Sequence, residues 1–298
     1  MEDRMEALLD NMLEAGYIAD RRTATVLGLA ESLQKPVLVE GPAGVGKTAI
    51  AYAFAGMKGL PLVRLQCYEG IDESKALYEW NYKRQLLHIQ AVANRDADSS
   101  RVEEELFSNG FLLPRPLLNS ISSETPVVLL IDEIDKVDFE FEAMLLELLS
   151  EFQITIPEMG TVRARHIPFV FLTSNATREL SEALKRRCLY LYLDFPGTEM
   201  EERILLLKTP GLSRELAAQV AQVIHRIRSL ELKKAPSIAE SIDWAMSLLW
   251  LGKGDLDVES VLQSLNVIIK HREDMQKIER LLHNRQDLSF RPSSPVRP

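Results

Sequence analysis

Five short apolar runs recur along the first two thirds of the chain, and each is flanked by polar residues. Continuous apolar runs of this length are typical of strands that are buried on both faces of a parallel sheet. Amphipathic helical patterns separate most of them, notably at 141–152 and 177–187. This alternation predicts an α/β fold with a parallel five-stranded sheet between helices. The runs are KPVLVE (35–40), PLVRLQC (61–67), PVVLLIDE (126–133), IPFVFLTSN (167–175) and CLYLYLDF (188–195).

After FPG at 195–197 the strand pattern stops and the remaining chain has helical periodicity. This change predicts an α/β domain at 1–195, with N-terminal helices and an insert at about 68–125, followed by a small all-α domain at 196–284. The Pro- and Ser-rich end, 285–298, is predicted to be a flexible tail. The helices predicted in the second domain are 199–208, 213–230, 237–251, 257–264 and 266–282.

Composition narrows the class of protein. The formal net charge is −9 over 298 residues, which argues against nucleic acid as a partner because such proteins need a basic surface. The two cysteines, Cys67 and Cys188, fit a reducing compartment. The N-terminus lacks the pattern of a signal peptide, and no run approaches the ~18 apolar residues of a membrane span. We therefore expect a cytoplasmic protein with no membrane span.

The strongest chemical signal is GPAGVGKT, which matches the phosphate-loop pattern G-x-x-x-x-G-K-[ST] between a predicted strand and a predicted helix. Its glycines let the backbone wrap a polyphosphate and direct N–H groups toward it. Lys47 is predicted to reach the β- and γ-phosphates of ATP, and the Thr48 hydroxyl to bind Mg²⁺. A plain glycine-rich turn is the alternative, and the strand and helix around the motif argue against it. The predicted ATP-binding residues are Gly41, Pro42, Ala43, Gly44, Val45, Gly46, Lys47, Thr48 and Ala49.

Polar side chains follow the next two predicted strands at their carboxyl ends. Asp132 and Glu133 end the run VVLLIDE, and Asn175 ends FVFLTSN. Asp132 suits a Mg²⁺ role through water, and Glu133 suits the base that polarises an attacking water. Asn175 is in a position to orient that water, although Ser-Asn is also common turn chemistry. These predictions depend on the phosphate loop lying next to the same strand ends.

This order of motifs resembles that of AAA+ ATPases. The stretch LLIDEIDK…FEAMLLELLSEFQITIPEMGTVRARHIPFVFLTSN is similar to the MoxR group, in which a β-hairpin (here about 153–166, turning at PEMGT) precedes the Asn strand. LQCYEGIDESKALYEWNY and KAPSIAESIDWA resemble the CoxD-like branch of that group. The resemblance implies a P-loop NTPase core with an α-helical lid, assembled into a homo-oligomeric ring, a hexamer.

Two adjacent arginines lie in LKRR at 184–187, where a helical pattern meets a strand. Taken alone, they fit surface arginines favoured by a helix C-terminus. The resemblance implies instead that Arg187, with Arg186 as the second candidate, acts on the γ-phosphate of ATP bound by a neighbouring subunit. The head of Arg187 is then expected to be exposed in a single subunit.

The resemblance also implies a function. MoxR-type ATPases act with a von Willebrand factor A-domain partner on a client metalloenzyme, and the CoxD-like branch is linked to molybdenum hydroxylases of the carbon monoxide dehydrogenase kind. A nucleotide-gated binding scaffold with little turnover and a DNA-acting AAA+ loader are the alternatives. Glu133 argues against the scaffold, and the acidic charge argues against the loader.

Two features are left open. Many AAA+ proteins carry an arginine at the start of a lid helix, where this chain has Ser237 or Ala239, depending on the alignment. Cys67 is either a reactive thiol or a small buried residue at a strand end, and the lack of a nearby histidine favours the buried residue. No role is derived for Tyr68 and Glu69.

Overall fold

The computed structural model describes residues 2–92, 102 and 105–283. The tail predicted at 285–298 and part of the predicted insert lie outside these residues. The chain separates into two compact units. Of the described residues, those within 1–11, 20–41 and 47–192 form the first unit, and those within 12–19, 42–46 and 193–298 form the second.

The first unit is built on a parallel sheet whose five strands are β1, β2, β5, β8 and β9. The strand order is β2-β5-β8-β1-β9, and every neighbouring pair is parallel. The predicted α/β fold with a five-stranded parallel sheet is therefore confirmed. The strands of the described chain are β1 (Val37–Glu40), β2 (Leu62–Gln66), β3 (Tyr78–Trp80), β4 (Leu112–Pro114), β5 (Val128–Asp132), β6 (Gln153–Ile156), β7 (Gly160–Arg163), β8 (Phe169–Ser174) and β9 (Leu189–Tyr192).

The strands of this sheet are short and apolar because helices cover both of its faces. All five residues of β5 are buried, and β8 is buried except at its first residue. The α-helices of the first unit are Glu2–Glu14, Arg21–Leu33, Lys47–Lys58, Glu73–Ala76, Tyr82–Val92, Pro116–Ser122, Phe139–Glu151 and Glu182–Arg187. The first of these helices ends inside the segment 12–19, which clusters with the second unit.

Two small antiparallel pairs accompany the main sheet. The predicted hairpin is confirmed as β6 and β7, whose register places Ile156 opposite Gly160 around a turn at 157–159. The other pair, β3 and β4, lies in the insert and was not predicted. Three-residue strands carry too little periodicity to be distinguished from loops by sequence.

One predicted helix is shorter than its pattern. The pattern at 177–187 gives a helix only over Glu182–Arg187. The N–H of Thr177 donates instead to the Asp135 carboxylate, and Ser181 caps the helix by accepting from the Leu184 N–H. The N–H of Ser181, which a longer helix would have used, donates to the Glu142 carboxylate at 2.9 Å, so side-chain acceptors compete with the longer helix.

The second unit is helical after residue 197. Its helices are Thr198–Lys208, Arg214–Ser229, Ile238–Trp250, Val258–Ile268 and Arg272–His283. The predicted break at 265 was wrong: the helix continues to Ile268, since Leu265 and Ile268 are both buried in the core. Among the helices of the described residues, none is long and apolar enough to cross a membrane.

The core of the second unit contains two satisfied polar groups. The indole of Trp244, fully buried, donates to Ser264 Oγ at 2.7 Å. Arg228 forms a two-point ion pair with Glu201 (Nη1–Oε2 2.5 Å, Nη2–Oε1 2.9 Å), and the Phe195 ring lies 4.4 Å from its guanidinium carbon. Burial of charge is tolerated here because each charge is paired and hydrogen-bonded.

Candidate active site

The phosphate loop follows the inner strand β1 and leads into the helix Lys47–Lys58. Gly44 and Gly46 have φ of 80° and 95°, a backbone region that favours glycine. Residues 42–46 make their contacts within the second unit. There the Gly44 carbonyl accepts from the Ile238 N–H at 3.0 Å, and a Cβ at Gly44 would lie 2.2 Å from the Ser237 Cβ. Glycine is therefore required at 44 by both φ and space.

Ser237 is the residue that precedes the helix Ile238–Trp250. It forms a capping box with Glu240, in which Ser237 Oγ accepts from the Glu240 N–H and the Glu240 carboxylate accepts from the Ser237 N–H. Of the two lid positions left open by the sequence, Ser237 is the one for which the structure gives a contact with the loop.

Lys47 is buried at the first turn of its helix, with 6% of its surface exposed. Its ammonium donates to the Gly41 carbonyl and to Asn175 Oδ1, both at 2.7 Å. Burial lowers the pKa of Lys47 below its ordinary value, and the nearby carboxylates of Asp135 and Asp132 oppose this shift. Lys47 and Asn175 meet because β8 pairs directly with β1.

Asp132 is the last residue of β5 and is 3% exposed. Its Oδ1 accepts from the hydroxyls of Thr48 at 3.0 Å and Thr173 at 2.5 Å. Its Oδ2 accepts from Arg64 of the edge strand β2, with Nη2 at 2.5 Å and Nε at 3.2 Å. Both oxygens of this buried carboxylate are therefore satisfied. We call Lys47, Thr48, Asp132, Thr173 and Asn175 the strand-end cluster.

Glu133 follows Asp132 in a left-handed backbone conformation, with φ of 58°. A non-glycine residue in this region carries strain of order 1–3 kcal/mol, and such residues concentrate at functional sites. The Glu133 N–H donates to Thr173 Oγ1 at 2.9 Å, which fixes the turn. The side chain is partly exposed, as a group that contacts water has to be.

The turn after β8 is held by a third carboxylate. Asp135 Oδ2 accepts from the hydroxyl and N–H of Thr177, at 2.6 and 3.1 Å. Burial by itself would raise the pKa of Asp135, but the hydrogen bonds from Thr177 outweigh it and the pKa is lowered. Asp135 thus links the turn after β5 to the turn that carries Asn175.

The arginine pair, Arg186 and Arg187, ends the helix Glu182–Arg187. The expectation that the Arg187 head is exposed was wrong: the residue is half-buried. Its Nε donates to Ser150 Oγ and its Nη1 to the Ala183 carbonyl. Arg186 is exposed, and no hydrogen bond or ion pair to it occurs among the described residues. The two arginines therefore differ in availability.

Sequence reasoning missed Arg64, Thr173, Asp135 and Thr177. Arg64 had a visible signal, since it is a charged residue within the apolar run PLVRLQC. The others had none, because a threonine in a strand and an acid in a turn are common. The buried alternative for Cys67 is confirmed: it is 2% exposed, and burial raises the pKa of its thiol to about 12.

These residues fit ATP with Mg²⁺. The loop glycines have the backbone freedom that close approach to phosphates requires, and a buried ammonium follows them. Hydroxyl and carboxylate oxygens are ligands that Mg²⁺ accepts, and those of Thr48 and Asp132 are in direct contact. Thr48 would hold the ion directly and Asp132 through water.

Comparison with known structures supports the fold. A variant of RuvB from Thermotoga maritima is 19% identical with a TM-score of 0.50, over 95% of this chain and 76% of that one. The Thermotoga maritima RuvB Holliday junction branch migration motor is 18% identical with a TM-score of 0.48, over 89% of this chain and 70% of that one. The likeness to the first of these, with a TM-score of 0.50 and 19% identity, concerns the fold alone.

Comparison of sequences gives the family. No curated protein sequence matches this chain. Residues 36–188, more than half of the chain, match the family model described as AAA domain (dynein-related subfamily). The matched range contains the phosphate loop, Asp132, Glu133, Asn175 and the arginine pair. This chain belongs to the AAA domain family, dynein-related subfamily, and is an ATPase.

Proposed function

We propose that this ATPase is of the MoxR type, in the CoxD-like branch, and that it couples ATP hydrolysis to the remodelling or maturation of a client metalloenzyme. The observation that carries the proposal is the hairpin β6–β7, which follows the helix Phe139–Glu151 and precedes β8, at the point of the chain where the MoxR resemblance requires a hairpin. The stretches 65–82 and 234–245, which resemble the CoxD-like branch, support the finer assignment.

We propose that the strand-end cluster and Glu133 carry out the hydrolytic step. Mg²⁺, when bound with ATP, would offset the negative charge of the γ-phosphate oxygens. Lys47 stabilises the phosphate oxygens, and its contact with Asn175 Oδ1 at 2.7 Å keeps both side chains at the same strand ends. Glu133 accepts the proton of the attacking water, and its strained turn holds it beside Asp132. Asn175 orients that water.

The arginine pair supplies the remaining positive charge in this proposal. An arginine on the transferring phosphate is worth ~10³–10⁵ in rate. The exposed Arg186 is available to the ATP of a neighbouring subunit in a ring, whereas Arg187 must first release Ser150 and the Ala183 carbonyl. We therefore assign contact with the neighbour's nucleotide to Arg186, and to Arg187 once it is released on assembly.

The helical second unit is proposed as the lid. Gly44 of the loop contacts Ser237 and Ile238, so a change in the loop on phosphate binding would also change the start of the helix Ile238–Trp250. We expect amide hydrogen exchange over 198–283 to slow when a non-hydrolysable ATP analogue binds. Unchanged exchange throughout that range would argue against a lid.

Client maturation is tested by co-expression. A molybdenum hydroxylase is produced with its von Willebrand factor A-domain protein and either wild-type chain or Lys47→Ala. The proposal expects the metal content of the purified client, measured by mass spectrometry, to be higher with the wild type. Equal metal content would reject the role in maturation and leave the ATPase intact.

A nucleic-acid role is tested separately. Because the net charge of the chain is −9, we expect single- and double-stranded DNA to leave ATP turnover unchanged. A several-fold stimulation by DNA would support the loader alternative instead.

A further inference from the structure

Arg64 is a charged residue within a strand that is otherwise mostly apolar. It lies on β2, the strand that pairs with β5. In that register Gln66 of β2 is opposite Asp132 of β5. Its guanidinium donates to Asp132 Oδ2 through Nη2 and Nε and also to Gln66 Oε1. The Tyr52 side chain lies close to it. These contacts hold the guanidinium against the carboxylate.

The contact matters because Asp132 is a buried anion. Its side chain is 4% exposed, whereas that of Arg64 is 41% exposed. A buried carboxylate without a partner is costly, and a paired and hydrogen-bonded one is not. Thr48 and Thr173 satisfy Oδ1 with neutral hydroxyls, and Arg64 places a cation in direct contact with Oδ2.

We propose that Arg64 is a positioning residue that acts as a competing counter-ion at the Mg²⁺ site. It keeps the Asp132 carboxylate oriented before the metal arrives, and it weakens divalent-ion binding at Asp132, more strongly without ATP phosphates than with them. This inference rests on the ATP·Mg²⁺ site proposed above.

The competition has a simple electrostatic cause. A divalent ion held through Asp132 would lie near the Arg64 guanidinium, and the two positive charges would repel. Because the Asp132 side chain is 4% exposed and that of Arg64 is 41% exposed, solvent screens this repulsion only in part. ATP phosphates add negative charge that offsets this repulsion. Arg64 can also withdraw, because its head is partly exposed on the edge strand of the sheet. Free Mg²⁺ without nucleotide therefore binds more weakly than Mg²⁺ with ATP.

The test measures metal dependence rather than turnover. A fluorescent ATP analogue is titrated at fixed concentration with Mg²⁺ on wild type, Arg64→Gln and Arg64→Lys. We expect the Mg²⁺ concentration at half-maximal binding to fall about tenfold in Arg64→Gln, since a neutral side chain no longer competes. Arg64→Lys keeps the charge and is expected to stay within about threefold of wild type. A midpoint that is unchanged or higher in Arg64→Gln would overturn the proposal.

A second readout uses Mn²⁺ without nucleotide, with bound ion detected by electron paramagnetic resonance. Arg64→Gln should bind Mn²⁺ more tightly than wild type, and Arg64→Lys should not. Equal Mn²⁺ binding by all three proteins would also overturn the inference. If Arg64→Gln fails to fold, Arg64→Met, which retains the unbranched stem, decides the question by the same two measurements.

The failure of this inference is distinguishable from failure of the site itself. If wild type shows no Mg²⁺-dependent binding of the analogue, the ATP·Mg²⁺ site is wrong and the Arg64 inference fails with it. If wild type binds normally and the three midpoints coincide, the site stands and the competing role of Arg64 is rejected.

Discussion

The strand-end cluster and the arginine pair both concentrate charge in the first unit, but they satisfy it differently. In the cluster, Lys47 and Asp132 are buried, and each contacts side chains from other parts of the first unit. In the pair, Arg187 is held by its own chain, while Arg186 is exposed and has no hydrogen-bonding or ion-pairing partner among the described residues.

The two groups differ because solvent reaches Arg186 but not the buried charges of the cluster. A buried charge has to be paired within the fold, whereas an exposed arginine is stabilised by water and stays available to another molecule. This contrast supports the proposal that the cluster acts on nucleotide bound by the same chain and that Arg186 acts on nucleotide bound by a neighbouring chain. Variants that change either a buried residue of the site or an arginine of the pair can test this difference.

The largest effect is expected for Lys47→Ala, which removes the buried ammonium from the cluster. Turnover should fall at least about 100-fold, since the loss of one preorganised charge-stabilising group has that size of effect. ATP hydrolysis by phosphate release is the measurement. Lys58→Ala, at the other end of the same helix, is the control and should keep near wild-type turnover. Comparable turnover in both variants would contradict the role of Lys47.

The next largest effect on turnover is expected for Glu133→Gln. It should still bind ATP with Mg²⁺ but hydrolyse it at least about tenfold more slowly, because only the proton acceptor is lost. Binding is followed by isothermal titration and turnover by phosphate release. Glu140→Gln, an exposed acid in the following helix, is the control. Normal turnover in Glu133→Gln would exclude it as the base.

The arginine variants distinguish action on the same chain from action on a neighbour. Arg186→Ala is expected to bind ATP and to lose turnover, and its stability should change by no more than ~0.5 kcal/mol because its side chain is exposed. Arg187→Ala should cost more, about 0.5–1.5 kcal/mol, because it loses the bonds to Ser150 and Ala183. Urea unfolding gives the two stability changes, and Lys185→Ala in the same helix is the control.

Mixing two inactive variants tests directly whether Arg186 acts on a neighbouring subunit. In a ring, Arg186→Ala mixed with Lys47→Ala creates some interfaces that pair an intact phosphate loop with an intact Arg186. Turnover should reappear in the mixture, and the specific activity of wild type should rise with protein concentration. If the mixed variants stay inactive and wild-type activity does not depend on concentration, Arg186 does not act on a neighbouring subunit.

The smallest effect is expected for Thr177→Val, which removes the hydroxyl donor to Asp135. At pH 7 the variant should be about 1 kcal/mol less stable to urea. The folded pKa of Asp135 is lowered from 3.8, so its stabilisation is present above that value and is lost as pH falls through the lower, folded pKa. The difference between wild type and variant should therefore narrow below about pH 3.8. A difference that stays constant at low pH would show that Asp135 is not the acceptor that matters.

Sequence predicted most of the main sheet and much of the site, for reasons visible in particular residues. The apolar run ending in Asp132 is long and uninterrupted, and the phosphate loop carries a motif whose chemistry depends on backbone and short-range spacing. Asp135 and Thr177 could not be paired from sequence, because they lie 42 residues apart. Their contact depends on β5 and β8 being neighbours.

The sequence by itself determined that strands alternate with helices and that the phosphate loop precedes a helix. It also determined that acidic and amide side chains lie at the carboxyl ends of later strands. These features follow from local patterns with periods of two and 3.6 residues. The tertiary structure alone decided that Arg64 neutralises Asp132, that Ser237 contacts Gly44, and that Arg186 rather than Arg187 is exposed. Each of these depends on strand order or on helix docking, where residues far apart in the chain become neighbours, and local patterns carry no information about which neighbours those are.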